Sequence, residues 1–135
     1  MTPEALHILI VDDSATTRAM IKRTITMSGF PVKNIREAPD GSAAIALLDT
    51  YAATTPIDLI FTDLNMPQMN GAEFTQYVRS TDAYRNIPVI VVTAQPDDQF
   101  LVPVLRSQVQ GWLSKPFTPE AVRTMMEKAL QMSPV

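Results

Sequence analysis

Cysteine is absent from this chain of 135 residues, and histidine occurs only once, at His7. Without cysteine the protein has no disulfide, no thiol nucleophile and no thiolate metal ligand, so these classes of chemistry are excluded. We interpret His7, which opens a predicted strand, as structural. No apolar run approaches the roughly 18 residues of a membrane-spanning helix, and residues 1–4 lack the basic-then-apolar pattern of a signal peptide. We therefore expect a cytoplasmic protein that does not enter a membrane.

Basic residues are the minority among the charged ones, at 11 against 14 acidic residues, and the net charge is −3. This balance argues against broad electrostatic attraction to nucleic acid, so we expect no direct nucleic-acid partner. The hydrophobic share of 46% is enough for a core without disulfides or metal staples. We expect one domain over residues 6–132, with short extensions at residues 1–5 and 133–135.

Short apolar runs alternate along the chain with longer amphipathic segments. The apolar runs predict strands, which we place at residues 7–11, 32–38, 57–62, 88–93 and 111–114. Apolar residues at helical spacing predict helices, which we place at residues 15–28, 42–51, from 71 onward, 97–108 and from 119 onward. This alternation implies βαβ units and a parallel sheet. We interpret most of the eight methionines as packing groups, with Met20 on the apolar face of the first helix.

Four of the predicted strands end at residues that can do chemistry: Asp12 with Asp13, Asp63, Thr93 and Lys115. Each alone has an ordinary explanation as a turn, cap or surface residue. In a parallel sheet, however, these strand ends form a common crevice. Two unit charges about 4 Å apart repel by roughly 4 kcal/mol at an effective dielectric near 20. Clustered carboxylates must therefore protonate, bind a cation or lie near a fixed positive charge.

Phosphoryl transfer to an aspartate would need the residues found at these strand ends. An aspartate carboxylate can attack phosphorus and form an acyl phosphate. Oxygen ligands favour a hard ion such as Mg²⁺, and Lys115 supplies a fixed positive charge. A hydroxyl such as that of Thr93 can hydrogen-bond a phosphoryl oxygen.

Several short motifs, taken in order, resemble the receiver domain of two-component response regulators. The likeness extends from about residue 6 to residue 130. It rests on Ile10–Ser14 (IVDDS), Asp40-Gly41, Asp63–Pro67 (DLNMP) with Gly71, Pro88–Ala94 (PVIVVTA) and Lys115–Phe117 (KPF). The resemblance implies an α/β, flavodoxin-like (βα)5 doubly wound sandwich with a five-stranded parallel sheet of order 2-1-3-4-5.

The resemblance also implies the roles of the acidic residues. Asp63 is then the phosphoacceptor, which takes its phosphoryl group from a histidine kinase or a phosphotransfer protein. Asp13, Asp63 and the backbone carbonyl of Asn65 are implied to ligate Mg²⁺, and Asp12 to act mainly through a bound water.

The resemblance further implies that phosphorylation shifts the population of the protein toward a second conformation. Thr93 hydrogen-bonds the phosphoryl group and shifts toward it, Lys115 pairs with it, and an aromatic residue on the fifth strand moves inward. That aromatic is Trp112 here, where Tyr or Phe is more usual. The surface of the fourth helix, fifth strand and last helix then binds an output protein whose identity the sequence does not indicate. We expect Pro103 to bend, shorten or partly unwind that fourth helix, and the Lys115–Pro116 bond to be cis.

A stand-alone receiver, monomeric or weakly dimeric, is the interpretation that we favour. It would catalyse only its own phosphorylation and dephosphorylation. One alternative is the same receiver cut from a longer regulator with an effector domain. Another is a phosphatase with an aspartyl nucleophile, but the haloacid-dehalogenase type needs an aspartate where this chain has Ser14 or Ala15. A flavin-binding protein of the same fold is disfavoured by the acidic crevice.

Overall fold

The computed structural model of the chain describes residues 5–94 and 108–132. Within these ranges, the elements in chain order are β1 (Leu6–Val11), α1 (Ala15–Met27), β2 (Val32–Ala38), α2 (Gly41–Tyr51), β3 (Leu59–Thr62), α3 (Gly71–Ser80), β4 (Val89–Thr93), β5 (Gly111–Ser114) and α4 (Pro119–Met132). The helix predicted at 97–108, with Pro103, lies outside the described residues except for its last residue. No helix among the described residues has the length and apolar character to cross a bilayer.

All five strands form one parallel sheet in the order β2-β1-β3-β4-β5. β1 lies between β2 and β3, with Val11 opposite both Ala38 and Thr62. The winding reverses at this point, so the carboxyl ends of β1 and β3 open into one crevice. At the other side of β3, β4 and β5 complete the sheet, and Thr93 lies opposite Ser114. The predicted α/β fold class and strand order are confirmed.

Helices cover both faces of the sheet. α1 and α4 pack on one face, where Ile8 and Ile10 of β1 join Ile21, Ile25 and Val122 in one hydrophobic cluster. α2 and α3 pack on the other face, against a second cluster that includes Leu9 and Val11. Residues 8–11 are each 0% exposed, because β1 is central and covered on both sides. Each such side chain contributes roughly 1.5–3 kcal/mol of hydrophobic stabilisation.

The helix starts follow the predicted caps. The Ser14 side chain accepts a hydrogen bond from the backbone N–H of Thr17 at 3.2 Å. Asn70 and Glu73 form a capping box, in which each side chain accepts from the other residue's backbone N–H. Such a cap contributes about 1 kcal/mol to helix stability.

Several element boundaries differ by one or two residues from the sequence prediction. β3 begins at Leu59, two residues after the predicted start at residue 57. α2 begins at Gly41, one residue before the predicted start, because the Asp40 side chain caps the helix by accepting from the backbone N–H of Ala43 at 2.8 Å. The Lys115–Pro116 peptide bond is cis, as predicted.

The interpretation of the methionines as packing groups is wrong for two positions on α1. Met20 is 54% exposed and Met27 is 60% exposed, whereas Met126 on α4 is buried. On α1 the buried side chains are Ile21 and Ile25. Successive residues of a helix are about 100° apart, so Met20 points well away from the direction in which Ile21 meets the core.

Candidate functional site

Three carboxylates meet at the carboxyl edge of the sheet. Asp12 and Asp13 follow β1, Asp63 follows β3, and one oxygen from each lies within 4.8 Å of the others. The Asp12 side chain is 1% exposed and that of Asp63 is 12% exposed. Asp13 faces solvent. The cluster is therefore anchored in the fold on one side and open to solutes on the other.

Backbone hydrogen bonds hold these acids in place beyond the ends of the strands. The Asp63 N–H donates to the Val11 carbonyl at 2.8 Å, and the Asp12 N–H donates to the Ala38 carbonyl at 3.1 Å. One Asp63 oxygen, Oδ1, also accepts from the Leu64 N–H at 2.8 Å. The separation of the carboxylates is thus set by the sheet and not by mobile side chains alone.

A lysine ammonium lies beside the two less exposed carboxylates. Lys115 Nζ is 3.4 Å from Asp12 Oδ2 and 3.8 Å from Asp63 Oδ1. The backbone N–H of Lys115 donates to the Thr93 carbonyl at 2.9 Å, which extends the pairing of β4 and β5. The Lys115 ammonium is therefore within ion-pair distance of two of the three carboxylates.

Burial and the neighbouring charges shift the pKa of Asp63. Burial raises the pKa of Asp63 above its ordinary value, and the negative charge of Asp12 raises it further. The Lys115 ammonium and the Leu64 N–H act in the opposite direction, but the pKa stays raised. The site therefore favours either a proton or an added cation. A pocket of closely spaced oxygen donors fits a hard divalent cation such as Mg²⁺.

Arg18 also belongs to this site, although the sequence analysis gave it no role. Its Nη1 donates to the Asp12 carbonyl at 2.6 Å, and its Nε donates to Glu37 Oε1 at 3.1 Å. The guanidinium therefore ties the acidic loop after β1 to β2. The signal in the sequence was an arginine in the first turn after the cap Ser14, where a helix places a long side chain back over the preceding loop.

Gly71 allows α3 to start against the loop that holds Asp63. The Gly71 N–H donates to the Leu64 carbonyl at 2.8 Å. A Cβ added at Gly71 would lie 2.3 Å from the Asp63 carbonyl oxygen and 3.1 Å from Leu64 Cα. Any side chain would therefore displace the backbone of Asp63, which explains the glycine at this position.

The remaining predicted site residues lie at different depths. Thr93 ends β4 and is 1% exposed, while Asn65 is exposed in the loop after β3. Trp112 on β5 is half-buried and packs against a small cluster of Leu64, Ala72 and Val91. One member of this cluster, Leu64, is the residue next to Asp63. Trp112 also lines an open cavity of about 500 Å³ between β5 and α4.

A family model for the response regulator receiver domain matches residues 8–127 of this chain. The chain belongs to this family. Receiver domains act in two-component signalling, and this one is similar to chemotaxis receivers. It is 34% identical over 125 residues to the chemotaxis protein CheY1 of Helicobacter pylori, a match that covers 93% of this chain and 97% of that protein.

Solved receiver structures have the same fold. The chemotaxis protein CheY4 of Vibrio cholerae is 31% identical, with a TM-score of 0.77 and coverage of 93% of this chain and 99% of that one. The receiver domain of a sensor histidine kinase from Pseudomonas aeruginosa PAO1 is 21% identical, with a TM-score of 0.76 and coverage of 94% and 98%. That structure has a magnesium ion coordinated in its active-site cleft.

Proposed function

We propose that this receiver is a phosphorylation switch in which Asp63 accepts a phosphoryl group from a histidine kinase or a phosphotransfer protein. The observation that supports this proposal is the placement of the Asp63 carboxylate between two further carboxylates and an ammonium. A nucleophilic carboxylate with acidic and basic neighbours meets the charge requirements of phosphoryl transfer.

Exposure favours Asp63 over its neighbours as the acceptor. Asp12 is almost completely enclosed, so a phosphodonor could not approach its oxygens. Asp13 is exposed to solvent. Among the described residues, Lys115 forms ion pairs with Asp12 and Asp63 but not with Asp13. Asp63 combines access from the edge of the sheet with contact to Lys115.

In the proposed step, an Asp63 carboxylate oxygen attacks phosphorus and forms the acyl-phosphate bond. The phosphorus–nitrogen bond of a phosphohistidine donor breaks, its electron pair stays on the histidine nitrogen, and that nitrogen takes up a proton from water. The Lys115 ammonium offsets the charge of the phosphoryl oxygens, and the Thr93 hydroxyl hydrogen-bonds one of them. Holding these groups in advance reduces the reorganisation that the reaction requires.

Mg²⁺ is the cofactor that we propose for this step. Asp13, Asp63 and the backbone carbonyl of Asn65 would hold it, with Asp12 acting mainly through a water. When bound, the ion supplies positive charge that offsets the clustered carboxylates and the phosphoryl oxygens. The closely spaced oxygen donors support this assignment.

The proposed output is a shift of the surface built on β5 and α4. A hydrogen bond from Thr93 to the phosphoryl group would draw the end of β4 toward Asp63. Trp112 would respond because it packs against the cluster that contains Leu64 and Val91. The surface for an output protein would include the β5–α4 cavity and the helix predicted at 97–108.

We further propose that the receiver domain spans residues 6–132 and acts as a cytoplasmic, stand-alone protein, monomeric or weakly dimeric. The chemotaxis relatives are themselves of receiver length, since the match covers 97% of CheY1 and 99% of CheY4. Sequencing the full open reading frame distinguishes this proposal from a receiver that is one part of a longer regulator.

Incubation with Mg²⁺ and acetyl phosphate tests the proposed chemistry. The intact mass of the wild-type protein should rise by one phosphoryl group, and Asp63→Asn should abolish the rise. Asp58→Asn is the matched control, because Asp58 is an exposed acid at the opposite end of β3. With beryllofluoride, the fluorescence of Trp112, the only tryptophan of the chain, should change in the control but not in Asp63→Asn. Phosphorylation that persists in Asp63→Asn would contradict the assignment.

A further inference from the structure

Positive charge is concentrated on one part of this acidic protein. Residues 14–36 contain five of the chain's 11 basic residues and none of its 14 acidic residues. These basic residues lie on two adjacent elements, α1 and β2: Arg18, Lys22, Arg23, Lys33 and Arg36. The proposed phosphoryl transfer does not involve Lys22, Arg23, Lys33 or Arg36, so their concentration on α1 and β2 needs a separate explanation.

A groove runs along this basic region where α1 meets the outer side of β2. Its volume is about 320 Å³, and it is lined by Lys22, Thr26, Phe30 and residues 32–35. Phe30, Val32 and Ile35 are partly buried and pack on the core, so they add some apolar surface to a groove whose lining is mainly polar. Lys22 and Lys33 are exposed at its rim. We call this feature the β2-edge groove.

The backbone beside the β2-edge groove has a free edge. β2 is the outermost strand of the sheet and pairs with β1 alone among the described strands. An edge strand presents N–H and C=O groups that an added extended segment can pair with. The register of β1 and β2 also shifts, from Leu6 opposite Val32 to His7 opposite Asn34. Lys33 is therefore an extra residue in β2 with no opposite residue in β1, as in a bulge.

The acidic residue on this face is already paired. Glu37 accepts from Arg18 at 3.1 Å and lies 3.9 Å from Lys22 Nζ. Lys22 is therefore held on the α1 side of the groove while its side chain stays 52% exposed. Arg36 faces the other side of the sheet, with its guanidinium 3.5 Å from the centre of the Tyr51 ring. Lys22 and Lys33 are thus the two ammonium groups that border the groove.

We propose that the β2-edge groove binds an extended acidic segment of a partner polypeptide, which adds to β2 as a further strand. Its acidic side chains would meet Lys22 and Lys33, and its apolar side chains would lie on the floor of the groove. Charge argues against a second copy of this chain as the occupant, because two β2 strands would bring their lysines together. It also argues against nucleic acid, since the protein as a whole carries a net charge of −3.

A titration with a model peptide tests this proposal. The probe is an acetylated, amidated heptapeptide in which glutamate and valine alternate, added to the ¹⁵N-labelled full chain. The largest amide shift changes are expected at residues 32–37 of β2. Lys22→Gln and Lys33→Gln should each weaken binding about two- to fivefold, the range for one exposed charge pair. The matched control is Arg85→Gln, which removes one exposed positive charge in the connection between α3 and β4.

The design separates the β2-edge groove from other sites and other partners. Salt should weaken the peptide complex by screening, and Asp63→Asn should bind as tightly as wild type because the groove does not require phosphorylation. Five outcomes would overturn the proposal: equal binding of a lysine–valine peptide, shift changes centred on the β5–α4 cavity, no binding at millimolar peptide, self-association through β2, or binding only to duplex DNA or anionic vesicles.

Discussion

Replacing Asp63 by asparagine should stabilise the protein when divalent cations are removed, although it should abolish the proposed phosphorylation. In the wild-type cluster, carboxylate oxygens lie within 4.8 Å of one another, and Asp63 lies 3.8 Å from Lys115. At an effective dielectric near 20, each repulsion is worth about 3–4 kcal/mol and the lost attraction about 4 kcal/mol. The substitution removes two repulsions and one attraction, which leaves a net gain of about 2–4 kcal/mol before screening.

Solvent screening at the exposed Asp13 reduces this gain, so we expect about 1–3 kcal/mol in the free energy of unfolding. The assay is urea unfolding at pH 7 in EDTA, supported by thermal melts, in which about 1 kcal/mol corresponds to roughly 4 °C for a domain of this size. Asp58→Asn removes an exposed acid remote from the cluster and should change little, because the asparagine oxygen can still accept from the His7 N–H. Addition of Mg²⁺ at ten times its dissociation constant should stabilise wild type by about 1.4 kcal/mol and Asp63→Asn by much less.

The pH dependence has a defined sign. Since the pKa of Asp63 is raised in the folded protein, its charged form costs stability above that pKa, and the cost disappears as the pH falls through it. The advantage of Asp63→Asn in EDTA should therefore shrink as the pH is lowered from 7 toward 4. An Asp63→Asn protein that is less stable than wild type in EDTA, or that gains as much from Mg²⁺, would refute the reasoning.

Three further substitutions test other contacts of the structure. Tyr84→Phe removes the hydroxyl that donates to Asp49 and should lower the free energy of unfolding by about 1–3 kcal/mol. Burial and Asp49 raise the pKa of Tyr84 to about 12. In urea unfolding, wild type should therefore lose its advantage over Tyr84→Phe between pH 10 and 12. Gly71→Ala places a Cβ against the Asp63 backbone and should slow labelling of Asp63 by acetyl phosphate at least about tenfold. In the control, Gly41→Ala, the added Cβ meets the flexible Met69 side chain, and labelling should be almost normal. Arg79→Met should cost about 2–4 kcal/mol in urea unfolding, since it leaves the Gln108 and Ile87 carbonyls without their donor; Arg85→Met, at an exposed site, should stay within about 0.5 kcal/mol of wild type.

Much of the fold could be predicted because the relevant signals are local. Ser14 and Asn70 start helices through contacts with residues three positions away. The continuous apolar run of β1 indicates a strand buried on both faces, and the structure confirms it. The strand order was accessible only through resemblance to receivers, since no local signal specifies which parallel strands pair. That resemblance also gave the individual roles proposed for the acidic residues.

Long-range contacts were the part that local patterns did not reveal. Arg79 lies on α3 but donates to the carbonyl of Gln108, 29 residues away, and nothing in the sequence around it predicts this partner. Arg18 likewise reaches Glu37, 19 residues away on β2. The exposure of Met20 was missed because the helical pattern was assigned by residue type, and its neighbour Ile21 fills the position that faces the core. The edge position of β2 follows from the strand order, which also explains why Lys33 stays exposed.

The most direct measurement of the central claim is reductive trapping of the phosphorylated residue. After incubation with Mg²⁺ and acetyl phosphate, borohydride reduces an aspartyl phosphate to homoserine, which peptide mass spectrometry locates. The account predicts homoserine at position 63, dependent on Mg²⁺ and absent from the Asp63→Asn protein. Homoserine at position 12 or 13, or phosphate on a residue outside the acidic cluster, would contradict it.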